Sequence, residues 1–197
     1  MNNILKTILI GASTTGKTTI VNRMKYNTFN SAVSCTVGVS FSRLLHNNIN
    51  YELWDTAGQE RYAPLLPMYF RNSKILIFVF DVSDASSLNT IDNYIKVLNS
   101  LDNLNNYKII IVGNKIDLIT ENEVANIKDI IKKKFENSTI IDKIYDYIFV
   151  SAKTGVNFDI FMDQLDRCAI SINNSDNVTT NIVKLDNEPK NKKSCYC

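Results

Sequence analysis

The chain has 197 residues, 45% of them hydrophobic, and its 22 Lys+Arg against 20 Asp+Glu leave a net charge of +2. That length suits one domain with a tail and a sizeable core, and so balanced a charge excludes a whole-protein field for nucleic acid. No apolar run could span a bilayer, Met1-Asn2-Asn3 lacks the layout of a secretory signal so that a cytosolic start is expected, and the 4 cysteines show neither metal-ligand spacing nor a disulfide framework.

The first apolar run, Ile4–Ile10, predicts a strand, and the three-to-four spacing of Lys17–Tyr26 predicts a helix. Between them lies Gly11-Ala12-Ser13-Thr14-Thr15-Gly16-Lys17-Thr18. A strand, two glycines five apart, then Lys and Thr opening a helix form the pattern that cradles nucleotide phosphates. Its N–H groups turn inward on the negative charge, and the helix N-terminus adds its dipole. Ser13, Thr14, Thr15, Gly16, Lys17, Thr18 and the following Thr19 are therefore candidate nucleotide contacts. Lys17 reaches the outer phosphates, and the Thr18 hydroxyl is a candidate Mg²⁺ ligand.

Ser40 to His46, Asn47-Asn48 and Ile49 to Trp54 predict a hairpin that adds one antiparallel edge strand. Strands are also predicted over Tyr51–Trp54, Ile75–Asp81, Ile109–Asn114 and Tyr147–Ser151, with helices over Ser87–Leu101, Glu121–Glu136 and Val156–Ile172. The strands after the hairpin are nearly continuous apolar runs, as expected of strands covered on both faces. The alternation predicts an α/β domain over residues 1–172: a six-stranded, mostly parallel sheet with one antiparallel edge strand and about five helices on both faces. From Asn173 to Cys197 the pattern dissolves into Asn, Ser, Asp, Thr and Lys, which predicts a disordered tail. Asparagine is abundant throughout and reads as a compositional bias.

In such a sheet, ligands collect at the carboxyl ends of the strands. Four polar clusters end there: the phosphate loop, Asp55-Thr56-Ala57-Gly58-Gln59, Asn114-Lys115-Ile116-Asp117 and Ser151-Ala152-Lys153. The phosphate loop alone does not separate ATPase, kinase and GTPase, but Asp117 does. A carboxylate in plane with guanine accepts from its N1–H and exocyclic amine, a donor pair adenine lacks, and buried polar groups left unpaired reject the wrong base. Asn114 would brace the loop, the Lys115 stem would cover one face of the base, and the Ala152 N–H would meet the guanine carbonyl in a turn shaped by Ser151 and Lys153.

Through these motifs, residues Leu5 to Ile172 resemble the Ras superfamily of small GTPases, and most closely its Rab branch. All five nucleotide motifs occur in order. Trp54 to Tyr62 is similar to the Rab second-switch signature, and Tyr69-Phe70-Arg71 and Phe78 to Ser83 are Rab-like stretches. The resemblance implies a P-loop G domain that binds GTP or GDP with Mg²⁺ and hydrolyses GTP. It implies that Thr36 ligates Mg²⁺ and touches the γ-phosphate, that Phe29 edges the guanine, that Asp55 holds Mg²⁺ through water, and that the Gly58 N–H bonds the γ-phosphate. Gln59 would orient the attacking water, with Lys17 and Thr36 completing the catalytic set. Loss of the γ-phosphate would release the loops of Thr36 and Gly58, a timed switch. A GTP-binding scaffold with little hydrolysis is the alternative, and the presence of both Gln59 and Thr36 argues against it. Ser13 stands where many relatives have glycine, Val33 replaces a tyrosine of several relatives, and the hairpin is shorter than is usual.

Implied partners are an exchange factor, a GTPase-activating protein, effectors that read the switches, a GDP-dissociation inhibitor and a prenylation escort, with no nucleic acid and a monomeric state. Cys195-Tyr196-Cys197 resembles the Cys-x-Cys end that Rab proteins carry for double geranylgeranylation, and is not a four-residue prenylation box. Two lipids, helped by Lys190, Lys192 and Lys193, would hold the protein on the cytoplasmic face of an endomembrane involved in vesicle trafficking, beside a cytosolic pool. His46 reads as a surface residue, Cys35 and Cys168 as small apolar fillers, and Lys132 to Lys134 as a wet helix face.

Overall fold

The computed structural model describes residues 4–31, 35–58, 64–101 and 106–186, with side chains as far as 174. Its elements are β1 (Ile4–Ile10), α1 (Lys17–Tyr26), β2 (Val39–His46), β3 (Ile49–Thr56), α2 (Leu66–Phe70), β4 (Ile75–Asp81), α3 (Ala85–Asn99), β5 (Lys108–Asn114), α4 (Glu121–Glu136), β6 (Ile144–Phe149) and α5 (Phe158–Asp186). The strands form one six-stranded sheet in the order β2-β3-β1-β4-β5-β6. Only β2 and β3 pair antiparallel; the remaining pairs are parallel.

Successive residues of a strand point to opposite faces, and the two cores follow that period. Leu9, Ile77, Val79, Ile110 and Val112 face α1 and α5, where they meet Ile20, Val21, Phe161 and Leu165. Ile8, Ile10, Leu76, Phe78, Phe80 and Ile111 face the other way, onto α2, α3 and α4, through Phe70, Leu88, Ile91, Ile131 and Phe135. All seven residues of β4 are buried, which is why this strand reads as an unbroken apolar run. The strand order turns at β1, whose neighbours are β3 and β4. A crevice at the carboxyl ends is expected at such a point.

Three elements depart from the sequence expectations. The short helix α2 is too brief to show a period, and it carries Pro67 in its first turn. Strand β6 begins at Ile144, ahead of the expected Tyr147, because its first four residues are only half-buried and carry no apolar run. Helix α5 continues to Asp186, so residues 173–186, expected as part of a disordered tail, are helical. No Gly or Pro interrupts them, and the first proline beyond is Pro189. No helix among the described residues is long and apolar enough to cross a membrane.

His46, read as a surface residue, is partly exposed and also makes a contact the sequence did not suggest. Its Nδ1 lies 2.8 Å from Oδ2 of Asp166 on α5, and Asn47 Nδ2 donates to the same oxygen at 2.8 Å. The Tyr51 hydroxyl donates to Asp166 Oδ1 at 2.6 Å. The hairpin is thereby tied to α5 through a buried carboxylate. Asparagine also has a structural use. Among the described residues, six of the eight non-glycine residues with positive φ are Asn: Asn27, Asn47, Asn48, Asn72, Asn106 and Asn157. Asparagine tolerates the left-handed region better than other chiral residues, and this chain has only 6 glycines to spend there.

Candidate active site

The phosphate loop leaves β1 and enters α1 through Gly16, which caps the helix at φ 92°. A Cβ at Gly16 would strike the Asn114 amide nitrogen, so glycine is required by both conformation and space. Lys17 is buried, and its Nζ donates to the carbonyls of Gly11 at 2.9 Å and Ala12 at 2.7 Å. Burial pulls its pKa down to about 8, with Asp55 opposing the shift. An ammonium held in so dry a site is a strong attractor for phosphate charge.

Beside it, three elements bring their oxygens together. Thr18 Oγ1 of α1 lies 2.8 Å from Thr36 Oγ1 and donates to Asp55 Oδ2 at 2.6 Å. Thr36 Oγ1 donates to the same oxygen at 3.3 Å. Burial raises the Asp55 pKa, against the pull of Thr18, Lys17 and Thr36. The other carboxylate oxygen, Oδ1, is buried with no partner among the described residues. Two hydroxyls and an unsatisfied carboxylate are hard oxygen donors of the kind Mg²⁺ prefers. No cluster of three or more His, Cys, Asp or Glu able to hold a metal occurs among the described residues. The two hydroxyls and the free Asp55 oxygen suit an ion of the kind that keeps water and phosphate oxygens in its shell. Gly58 packs onto the loop so closely that a Cβ would collide with the backbone of Ala12 and Ser13.

At the other end, Asn114 bridges the loops: its Nδ2 donates to Thr15 O at 2.9 Å, and its Oδ1 accepts from Ala152 N at 3.0 Å. Asn114 thus ties the phosphate loop to the turn after β6. The Ala152 N–H donates to Asn114 because β5 and the turn after β6 lie side by side. Ser151 Oγ donates to Asp117 Oδ1 at 2.5 Å and accepts from Thr154 N at 3.0 Å, fixing the Asp117 carboxylate. Lys115 sits at φ 69° with its Nζ 2.6 Å from Asp81 Oδ2.

Two adjoining clefts of about 250 and 240 Å³ run through these groups. Ser13, Thr18 and Thr36 line the first, Asn114, Lys115, Asp117, Ala152 and Lys153 line the second, and Thr14, Gly16, Thr19 and Phe29 line both. Thr15 is buried beneath, with its hydroxyl on Ala12 O. Gln59, Val33, Cys195 and Cys197 lie outside the described residues. Asp81 escaped the sequence reading. Burial alone would raise its pKa, but Lys115 and Ser83 outweigh this and lower it, so it stays anionic beneath the Lys115 ammonium. Its signal was its place as the last residue of β4, on the same edge as the other clusters. Cys35, expected as an apolar filler, is exposed and lines the phosphate cleft, whereas Cys168 is buried as expected. Lys134 is no free wet charge: its Nζ lies 2.7 Å from Asp92.

The sequence profile of the Ras family matches residues 6–170. The chain belongs to the Ras family. Within it, the chain is 36% identical over 166 residues to the GTP-binding protein YPT53 of Saccharomyces cerevisiae, covering 80% of this chain and 73% of that protein. It is 29% identical over 218 residues to the Ras-related protein Rab-27B of Homo sapiens, covering 98% and 96%. These relatives place the Ras-family chain in the Rab branch. It is accordingly a GTPase, an enzyme that binds guanine nucleotide and hydrolyses GTP to GDP and phosphate.

Proposed function

We propose that this GTPase is a membrane-anchored switch of vesicle trafficking whose clock is the hydrolysis of a GTP held with Mg²⁺. The observation that carries this reading is the convergence of Thr18, Thr36 and Asp55, with one Asp55 oxygen left unsatisfied inside the protein. Lys17 would hold the outer phosphates, and Ser13 to Thr19 would line the phosphate path. Asp117, fixed by Ser151, would select guanine, with Lys115 and Phe29 against the base and Asn114, Ala152 and Lys153 forming the frame. Mg²⁺, when bound, neutralises charge that builds on the phosphates. Gln59 would orient a water in line with the γ-phosphorus. The water's oxygen forms the new P–O bond as the bond to the GDP oxygen breaks, and the products are GDP and phosphate. Thr36 and Gly58 would then lose their phosphate contacts and the two switch loops would relax.

The partners we propose follow from that change of shape. Val37, Phe41, Leu65 and Met68 are exposed apolar side chains flanking the switch segments. Such a surface suits effectors that read one state, and an exchange factor and a GTPase-activating protein would set the rates of loading and hydrolysis. Cys195 and Cys197 would each carry a geranylgeranyl chain, delivered by a prenylation escort and shielded in the cytosol by a GDP-dissociation inhibitor. Two chains give stable anchoring to an endomembrane where one gives only marginal binding.

The test is single-turnover hydrolysis of bound GTP with and without Mg²⁺ chelation. We expect the wild-type chain to lose at least 90% of its rate on chelation. Asp55→Ala should be slow in both conditions, whereas Asp55→Asn, which keeps one oxygen, should recover activity at raised Mg²⁺. Mg²⁺-independent hydrolysis by the wild type would overturn the reading.

A further inference from the structure

Arg23 lies on α1, outside both clefts of the nucleotide site, yet its guanidinium reaches the turn that frames the base. Nε donates to Ala152 O at 2.9 Å and Nη2 donates to Lys153 O at 2.7 Å. Nη1 turns back to Asn27, its own helix's left-handed C-cap, at 3.3 Å to O and 3.4 Å to Oδ1. A planar fork set against two consecutive carbonyls fixes orientation as well as position, which a lysine ammonium cannot reproduce. Gly155 closes the same turn at φ +87°, a conformation side-chain-bearing residues rarely adopt, with its Cα beside the guanidinium.

What the fork holds is the turn that orients the base-reading groups. Ser151 Oγ fixes the Asp117 carboxylate, and the Ala152 N–H is bonded to Asn114. The helix that carries Arg23 begins with Lys17 and Thr18 and is packed into the core by Ile20, Val21 and Met24. One rigid element therefore spans from the phosphate grip to the base turn. We propose that Arg23 is a positioning residue for guanine recognition, clamping the Ala152 and Lys153 carbonyls so that Ser151 keeps Asp117 aligned with the base. The inference rests on the reading of Asp117 as the guanine-selecting carboxylate.

The experiment measures release of GDP and of inosine diphosphate from the full chain. Inosine diphosphate lacks the exocyclic amine, so it forfeits one of the two bonds Asp117 would accept. Arg23→Ala should release GDP at least tenfold faster than wild type and shrink the preference for GDP over inosine diphosphate severalfold. Arg23→Lys should fall between, because one ammonium replaces a fork. Release of GDP within twofold of wild type, or equal acceleration of both nucleotides with the preference intact, would overturn the proposal. Should Arg23→Ala not fold, Arg23→Lys and Arg23→Gln carry the comparison at a wild-type unfolding midpoint, with reduced preference supporting it and unchanged preference refuting it. Asp117→Ala separates the two readings. If it releases GDP no faster than wild type, the guanine reading fails and takes this inference with it. If it releases GDP fast while the Arg23 variants do not, the Arg23 inference alone fails.

Discussion

Asp166 is 6% exposed, and its two oxygens serve His46, Asn47 and Tyr51 across the gap between hairpin and helix. Removing it strands the hydroxyl of Tyr51, a residue 1% exposed, and a buried donor left without a partner costs about 1–3 kcal/mol. Asp166→Ala should therefore destabilise the chain by about that amount. Adding Tyr51→Phe removes the orphan, so the double variant should lose less than the two singles together, as urea titrations would show. The pH dependence follows from the same contact. Burial, then the Asp166 hydrogen bond, raises the Tyr51 pKa above its ordinary value of 10.0. The folded state thus keeps a proton that the unfolded chain gives up. The contribution is whole below pH 10 and shrinks as pH climbs beyond it. Above pH 10 wild type should lose stability more steeply than Tyr51→Phe, by a slope that approaches one proton per molecule, or roughly 1.4 kcal/mol per pH unit.

Among the elements, the β2–β3 hairpin has the turn most open to test. Asn47 and Asn48 both have positive φ, 45° and 62°, the requirement of a tight two-residue hairpin turn. Their side chains differ in use, since Asn47 bonds to Asp166 and Asn48 has no such role in that cluster. Asn48→Gly should stabilise the fold by up to about 1 kcal/mol by relieving left-handed strain. Asn47→Gly should gain nothing net, because it forfeits the Asp166 bond. Thermal midpoints of the two variants in one buffer decide this. Helix α4 offers a parallel case. Thr120 and Glu123 form a reciprocal capping box at its start, so Thr120→Ala should cost about 1 kcal/mol. That cap is a local pattern, and the structure starts α4 at the predicted Glu121.

For the whole molecule, the switch reading needs the GTPase to sit at a surface. Replacing both Cys195 and Cys197 with serine should move the protein from membranes to the cytosol. Either single replacement should leave only weak, salt-sensitive binding, because one lipid chain gives marginal affinity and the tail lysines add little. Fractionation of cells expressing the three variants checks this, and equal membrane fractions for wild type and the double variant would refute the anchor.

The sequence by itself determined the covered parallel strands, the helix of the phosphate loop and the four polar clusters at one sheet edge. Each of these is a local pattern: β4 is an apolar run because both faces are buried, and Lys17–Tyr26 follows a loop whose glycines are spaced for it. What only the tertiary structure decided is which side chains those clusters lean on. Arg23 and Ala152 are 129 positions apart, and Tyr51 and Asp166 are 115 apart. Asp81 meets Lys115 because β4 lies beside β5. No periodicity encodes such pairs, since they depend on strand order and on where one helix crosses the sheet. The Ala152–Asn114 bond is of the same kind, since it depends on the packing of β5 against β6.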